Sequence, residues 1–189
     1  MVLEEEGSKL IEMVRKNIEK YLRKNEVLDK YEIDEKIQKY TKKKRGAFVT
    51  LKTSQGKLRG CIGRPYPDKN LIDVLIDCSV SATKDPRFSP VSESELGDIR
   101  IEVTVLTEPE EIDINSIEEA EEKIEIGKHG LMIIGRGYQG LLLPQVPKEH
   151  GWDISDFLNH SCMKAGLPGD SWKDSNVKIM RFEGQVFEE

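Results

Sequence analysis

Cysteine is scarce in this chain, with three in 189 residues. An odd count without framework spacing excludes a disulfide-stapled scaffold and suits a reducing, cytoplasmic setting. Histidine is as scarce, with three. None of the three sits in the paired Cys/His spacings that make a zinc motif, so no metal site is expected. Long apolar runs are missing: none approaches the roughly 20 residues a membrane helix needs. Excess positive charge is missing too. Twenty-nine Lys and Arg against 35 Asp and Glu leave a net charge of −6, which argues against a dedicated nucleic-acid binder. The start, MVLEEEGSKL, is acidic, unlike a secretory signal or a transit peptide. Internal repeats and low-complexity linkers are absent as well.

What remains is a soluble, globular composition, 37% hydrophobic and 34% charged, long enough for one domain or two small lobes around a core. Leu10, Ile11, Val14, Ile18, Tyr21 and Leu22 recur at helical spacing, which predicts an amphipathic helix over residues 5–24. A charged stretch follows and ends in Lys42, Lys43, Lys44 and Arg45, read as a solvated linker or as a local anion or nucleic-acid contact. The run GAFVTLKTSQGKLRGCIG predicts a hairpin turning at Gln55 and Gly56. NLIDVLIDCSVSATKD predicts a helix capped by Asn70 and stopped before Pro86. Residues 99–106 alternate as a strand.

NSIEEAEEKI predicts a short helix capped by Asn115 or Ser116. HGLMIIGRGYQGLLLPQ predicts a second hairpin with Gly135, Gly137 and Gly140 in its turn. GWDISDFLNHSCMKAGL predicts a helix ending at Gly166, and NVKIMRFEGQVFEE one or two last strands. Helices and hairpins interleave without a βαβ rhythm, so the fold class expected is α+β with a mostly antiparallel sheet.

Cys78 and Cys162 fall on apolar helix faces and read as core residues. Cys61, in LRGCIG, is different. A two-residue turn at Gln55 and Gly56 sets Thr50 opposite Cys61 and Lys52 opposite Arg59. Val49, Leu51, Leu58 and Ile62 then share the core face, and the thiol shares a polar face with two cations. Positive neighbours favour thiolate, so a depressed thiol pKa is expected. Gly60 and Gly63 leave room for a ligand or another backbone. His150, in PKEHGW, is a candidate base.

LRGCIG resembles the signature of the AMMECR family. The resemblance continues through ATKDPRFSPV, IEVTVL, GKHGLMI, GLLLPQVPKEHGWD and FLNHSCMKAGL and covers nearly the whole chain. The signature maps onto Leu58, Arg59, Gly60, Cys61, Ile62 and Gly63. DPRF maps onto Asp85, Pro86, Arg87 and Phe88, and LPQV onto Leu143, Pro144, Gln145 and Val146. The resemblance implies a single AMMECR-type domain over residues 1–189, stand-alone and of archaeal or bacterial type. It also implies an antiparallel sheet flanked by helices, with a larger and a smaller lobe. It supplies no reaction and no cofactor. It implies a pathway shared with Memo-like or radical-SAM proteins. It gives no reason to demand a histidine at position 150.

Two functions of different class follow. One is an enzyme with Cys61 as nucleophile or redox thiol, Arg59 holding the thiolate or an anionic substrate, and Glu149 or His150 as base. The other is a binding module or scaffold for a protein, a nucleotide or RNA. There Gly60, Gly63, Arg59, Arg64, Asp85, Arg87 and Gln145 would form the contact surface. Nucleic acid is the less favoured partner, and no membrane is expected.

Overall fold

The computed structural model describes residues 2–189. Of these, the residues up to Leu106 together with Gln185–Glu189 form one compact unit, and Thr107–Gly184 form a second. The fold is α+β and its strand pairings are antiparallel.

Unit 1 begins with α1, Glu4–Lys24. Its buried stripe of Leu10, Met13, Val14, Asn17 and Ile18 follows the predicted period. The Glu6 carboxylate accepts the Leu3 N–H (3.0 Å) at its start, and Asn25 ends it in the left-handed conformation. The hairpin strands β1, Ala47–Thr53, and β2, Leu58–Arg64, come next. α2, Leu71–Ala82, starts where the Asn70 side chain accepts the Asp73 N–H. Strand β3, Ile99–Leu106, lies beside β1, which places β2 at the sheet edge. α1 and α2 bury Val49, Leu51, Ile101 and Val103 of the sheet in one apolar core.

Unit 2 holds β4, Glu110–Ile112; α3, Ile117–Lys123; β5, His129–Gly135; β6, Tyr138–Leu142; α4, Gln145–His150; and α5, Ile154–Lys164. The last strand, β7, is a single 12-residue run, Val177–Glu188. Within unit 2 it pairs with β4 and with β5. Its residues from Gln185 onward belong to unit 1, where the following Glu189 N–H reaches the Ile101 carbonyl (3.2 Å). Phe157, Leu158 and Cys162 of α5 pack on Leu131, Ile133 and Ile179 to form the second core.

One expectation is corrected, and two elements went unforeseen. The β5–β6 turn is only Arg136 and Gly137, both at positive φ (53° and 81°). Gly135 and Gly140 lie in the strands, because a tight two-residue turn matches the strand twist. PKEHGW is not a loop. α4 runs through it and stops at Gly151, φ 66°. Pro147 fits a six-residue helix because first-turn N–H groups need no helical acceptor. β4 is a three-residue strand too short to leave a readable alternation.

Candidate functional site

The first hairpin differs from the expected one by a single residue. Thr53 N–H reaches the Lys57 carbonyl (2.8 Å), and Gly56 N–H reaches the Thr53 carbonyl (2.8 Å). The loop is therefore three residues, 54–56, with Gly56 at φ 79°. That is a type I turn closed by a left-handed glycine. Thr50 pairs with Cys61 as expected, but Lys52 pairs with Leu58, and Arg59 bulges out of the ladder. The extra residue moves Leu58 off the core face, and it is 43% exposed.

The bulge also separates the two cations expected beside the thiol. Arg59 donates through Nε and Nη2 to Glu95 (2.8 and 3.2 Å) and through Nη1 to the Ser89 carbonyl (2.8 Å). This pairing, followed by the Ser92 backbone N–H, holds the Glu95 carboxyl down at about 2. Lys52 reaches Glu102 (2.6 Å) and Glu188 (3.2 Å). Both cations are thus engaged by carboxylates.

Cys61 itself is half-buried, whereas Cys78 and Cys162 are buried. Burial pushes the thiols of Cys78 and Cys162 up to about 11. The Thr50 hydroxyl donates to Cys61 Sγ (3.3 Å). The outer edge of β2 is closed at this residue by two side chains of the DPRF turn. Cys61 N–H donates to Asp85 Oδ2 (2.9 Å), and Arg87 Nη2 donates to the Cys61 carbonyl (3.3 Å). A carboxylate and a guanidinium thus stand where a neighbouring strand's C=O and N–H would be, which protects the edge.

Asp85 is almost wholly buried and Arg87 is mostly exposed. Arg87 also donates its backbone N–H (3.0 Å), Nε (3.0 Å) and Nη2 (2.6 Å) to Asp85. The guanidinium first, and the Cys61 N–H second, hold the Asp85 carboxyl well below the usual carboxylate range. The sequence reading named Asp85 and Arg87 but missed that they fasten Cys61. It set Thr50 opposite Cys61 but did not foresee the hydroxyl–Sγ bond, and it missed Glu95 as the partner of Arg59. The X-D-P-R turn after a helix was the available signal, since Asp at such a turn bonds its own backbone two residues on.

The glycines have neighbours. A Cβ on Gly60 would lie 2.2 Å from the Ala82 carbonyl oxygen, and one on Gly63 would lie 2.0 Å from the Phe48 ring. The room at Gly60 is occupied by another backbone, the end of α2. A concavity of about 450 Å³ opens at the hairpin turn. Its lining includes Lys57, Arg59, Glu95 and Asp98, and Cys61 is not part of it. Arg64 pairs with Asp68 through Nε (2.7 Å) at the end of β2.

Gln145 and Glu149 are exposed residues of α4, in unit 2. His150 stacks on Trp152 (4.8 Å between centroids), whose ring also stacks on His160 (4.0 Å). The candidate base is thus one layer of a three-ring stack. Among the described residues, no three or more His, Cys, Asp or Glu side chains are grouped to hold a metal ion, and no helix is long and apolar enough to cross a membrane.

Known proteins place the chain. It is 47% identical over 191 residues to the Methanosarcina barkeri protein Mbar_A1807, covering all of this chain and 93% of the relative. It is 48% identical over 187 residues to MJ0810 of Methanocaldococcus jannaschii, covering 98% of this chain and 90% of that one. The crystal structure of the uncharacterized protein PH0010 from Pyrococcus horikoshii superposes with a TM-score of 0.74 at 39% identity, over all of this chain and 93% of the other. The model of the family described as AMMECR1 matches residues 11–187, and the chain belongs to the AMMECR1 family.

Proposed function

We propose that the edge of unit 1 formed by Cys61, Asp85 and Arg87 is a recognition site for an anionic group on a ligand or protein partner. One observation carries the reading: Arg87 is fixed along one side by Asp85 and the Cys61 carbonyl, while 57% of its side chain is exposed. Its Nη1 makes no hydrogen bond among the described residues. A guanidinium oriented before binding loses little freedom on meeting a carboxylate or phosphate. Cys61 would then be a contact residue beside that cation.

A thiol enzyme is the second reading, and the half-buried Sγ with its Thr50 hydroxyl favours it. The one carboxylate among the bonded neighbours of Cys61, Asp85, is neutralised by Arg87 and is a poor base, which ranks this reading second. A protein of the Memo-like or radical-SAM type fits the first reading as a partner by family resemblance.

Two alkylating probes test the site. Iodoacetate is anionic and iodoacetamide is neutral. If Arg87 attracts anions, the rate ratio of iodoacetate to iodoacetamide at Cys61 exceeds that of a free cysteine derivative. Arg87→Gln lowers the ratio, and Arg87→Lys restores part of it. An unchanged ratio in Arg87→Gln refutes anion recognition here.

A further inference from the structure

Residues 42–45, Lys-Lys-Lys-Arg, are not a loose tail. The Lys43 carbonyl accepts the Leu71 N–H (2.8 Å), and Arg45 N–H donates to the Lys69 carbonyl (3.3 Å). Lys44 forms an antiparallel bridge with Asn70. The backbone of the run is therefore locked along the entrance to α2. Lys42, Lys43 and Lys44 project from it into solvent.

Their charges are also unanswered. Lys9, Lys20, Lys36, Lys39, Lys52 and Lys69 of the same unit each meet a carboxylate. Among the described residues, Lys42, Lys43 and Lys44 meet none. The acids near the start of α2 are engaged elsewhere. Asp68 holds Arg64, Asp77 holds Lys69, and Asp73 is bonded by the Asn70 amide. The Lys43 ammonium lies 5.7 Å from the Tyr40 ring centroid, and the Lys39 ammonium lies 5.2 Å from the same ring. A protein with a net charge of −6 thus carries three consecutive exposed lysines, Lys42, Lys43 and Lys44, on a fixed backbone ridge and without a carboxylate partner among the described residues.

We propose that this ridge docks the phosphodiester backbone of a nucleic acid without reading its bases. Lysine ammoniums are point charges suited to phosphates. Tyr40, the aromatic ring under the ridge, is buried and cannot serve as the stacking platform that base contact needs. A nucleic acid offers closely and regularly spaced anions, and neutralising them releases counterions, a gain that a sparsely charged acidic peptide supplies less well.

Fluorescence anisotropy with a labelled oligouridylate of about 20 nucleotides tests this on the full chain. Three neutralised phosphates on a single strand predict a log–log salt slope of about −2. Lys42→Gln/Lys43→Gln/Lys44→Gln lowers affinity at least roughly tenfold at low salt and brings the slope close to zero. Lys16, Lys24 and Lys57 are also exposed. The triple variant Lys16→Gln/Lys24→Gln/Lys57→Gln changes net charge equally and is expected to bind like the wild type. Circular dichroism confirms that both variants fold. Absence of binding by the wild type overturns the proposal, as does equal loss in both triple variants. If poly-glutamate competes as well as unlabelled oligonucleotide, the ridge is an acidic-peptide site and the nucleic-acid assignment falls.

Discussion

The Asp85 carboxylate and the Cys61 amide meet at 2.9 Å across the free edge of β2. A turn that follows α2 thereby holds the one cysteine of this chain that is not buried. Asp85→Asn keeps the shape but removes the charge that pairs with Arg87. The Cys61 amide then loses its charge-assisted acceptor, and its hydrogen exchange, followed by NMR, accelerates relative to the amides of β1. An unchanged rate would show that the edge is held by something else.

Thiol titration follows from burial. With Cys78 and Cys162 buried and their thiols pushed up to about 11, the half-buried Cys61 is the thiol a reagent reaches. A chromogenic disulfide is expected to report one fast thiol per native chain and three in denaturant. Cys61→Ser removes the fast phase and leaves the other two.

Two glycines separate packing from conformational freedom. Gly60→Ala drives a methyl into the Ala82 carbonyl oxygen, 2.2 Å away. Backbone cannot yield cheaply there, so a loss of about 1–3 kcal/mol is expected in urea unfolding. Gly97→Ala meets nothing within 4 Å, and its φ is not positive. It should be neutral or stabilising by about 0.4–1 kcal/mol, through the unfolded chain.

The elements were legible where periodicity was long. α1 and β3 follow their apolar stripes to within a residue, and α2 and α5 to within about three. α4 was hidden because six residues cannot display a helical period and two prolines lie in PQVPKEH. The site was legible as a list and not as a geometry. Cys61, Asp85 and Arg87 were each picked out by their motifs. The Arg59 bulge was invisible, because one extra residue in a loop changes register without changing composition. That single residue sent Arg59 to Glu95 and left Arg87 as the exposed cation bonded to Cys61. The three-ring stack was missed because His150, Trp152 and His160 are joined by the turn between α4 and α5, not by one helix's spacing.

The last prediction concerns acid stability. Glu6 is buried on α1. It accepts hydrogen bonds from the Tyr40 hydroxyl (2.6 Å), from Lys39 and from the Leu3 N–H. Burial by itself pushes this carboxyl up. The Lys39 and Tyr40 bonds outweigh burial and bring it from 4.5 to about 2. The same contact, after burial, pushes the Tyr40 phenol up. A carboxyl depressed on folding adds stability that is complete above its unfolded value and lost as pH falls through its folded value. The contribution is on the order of 2 kcal/mol at neutral pH and fades from about pH 5 to about pH 2. Glu6→Gln removes it, so urea midpoints of wild type and variant should differ at pH 7 and converge toward pH 2. A constant difference across that window would mean that Glu6 stabilises the fold by packing, with its charge playing no part.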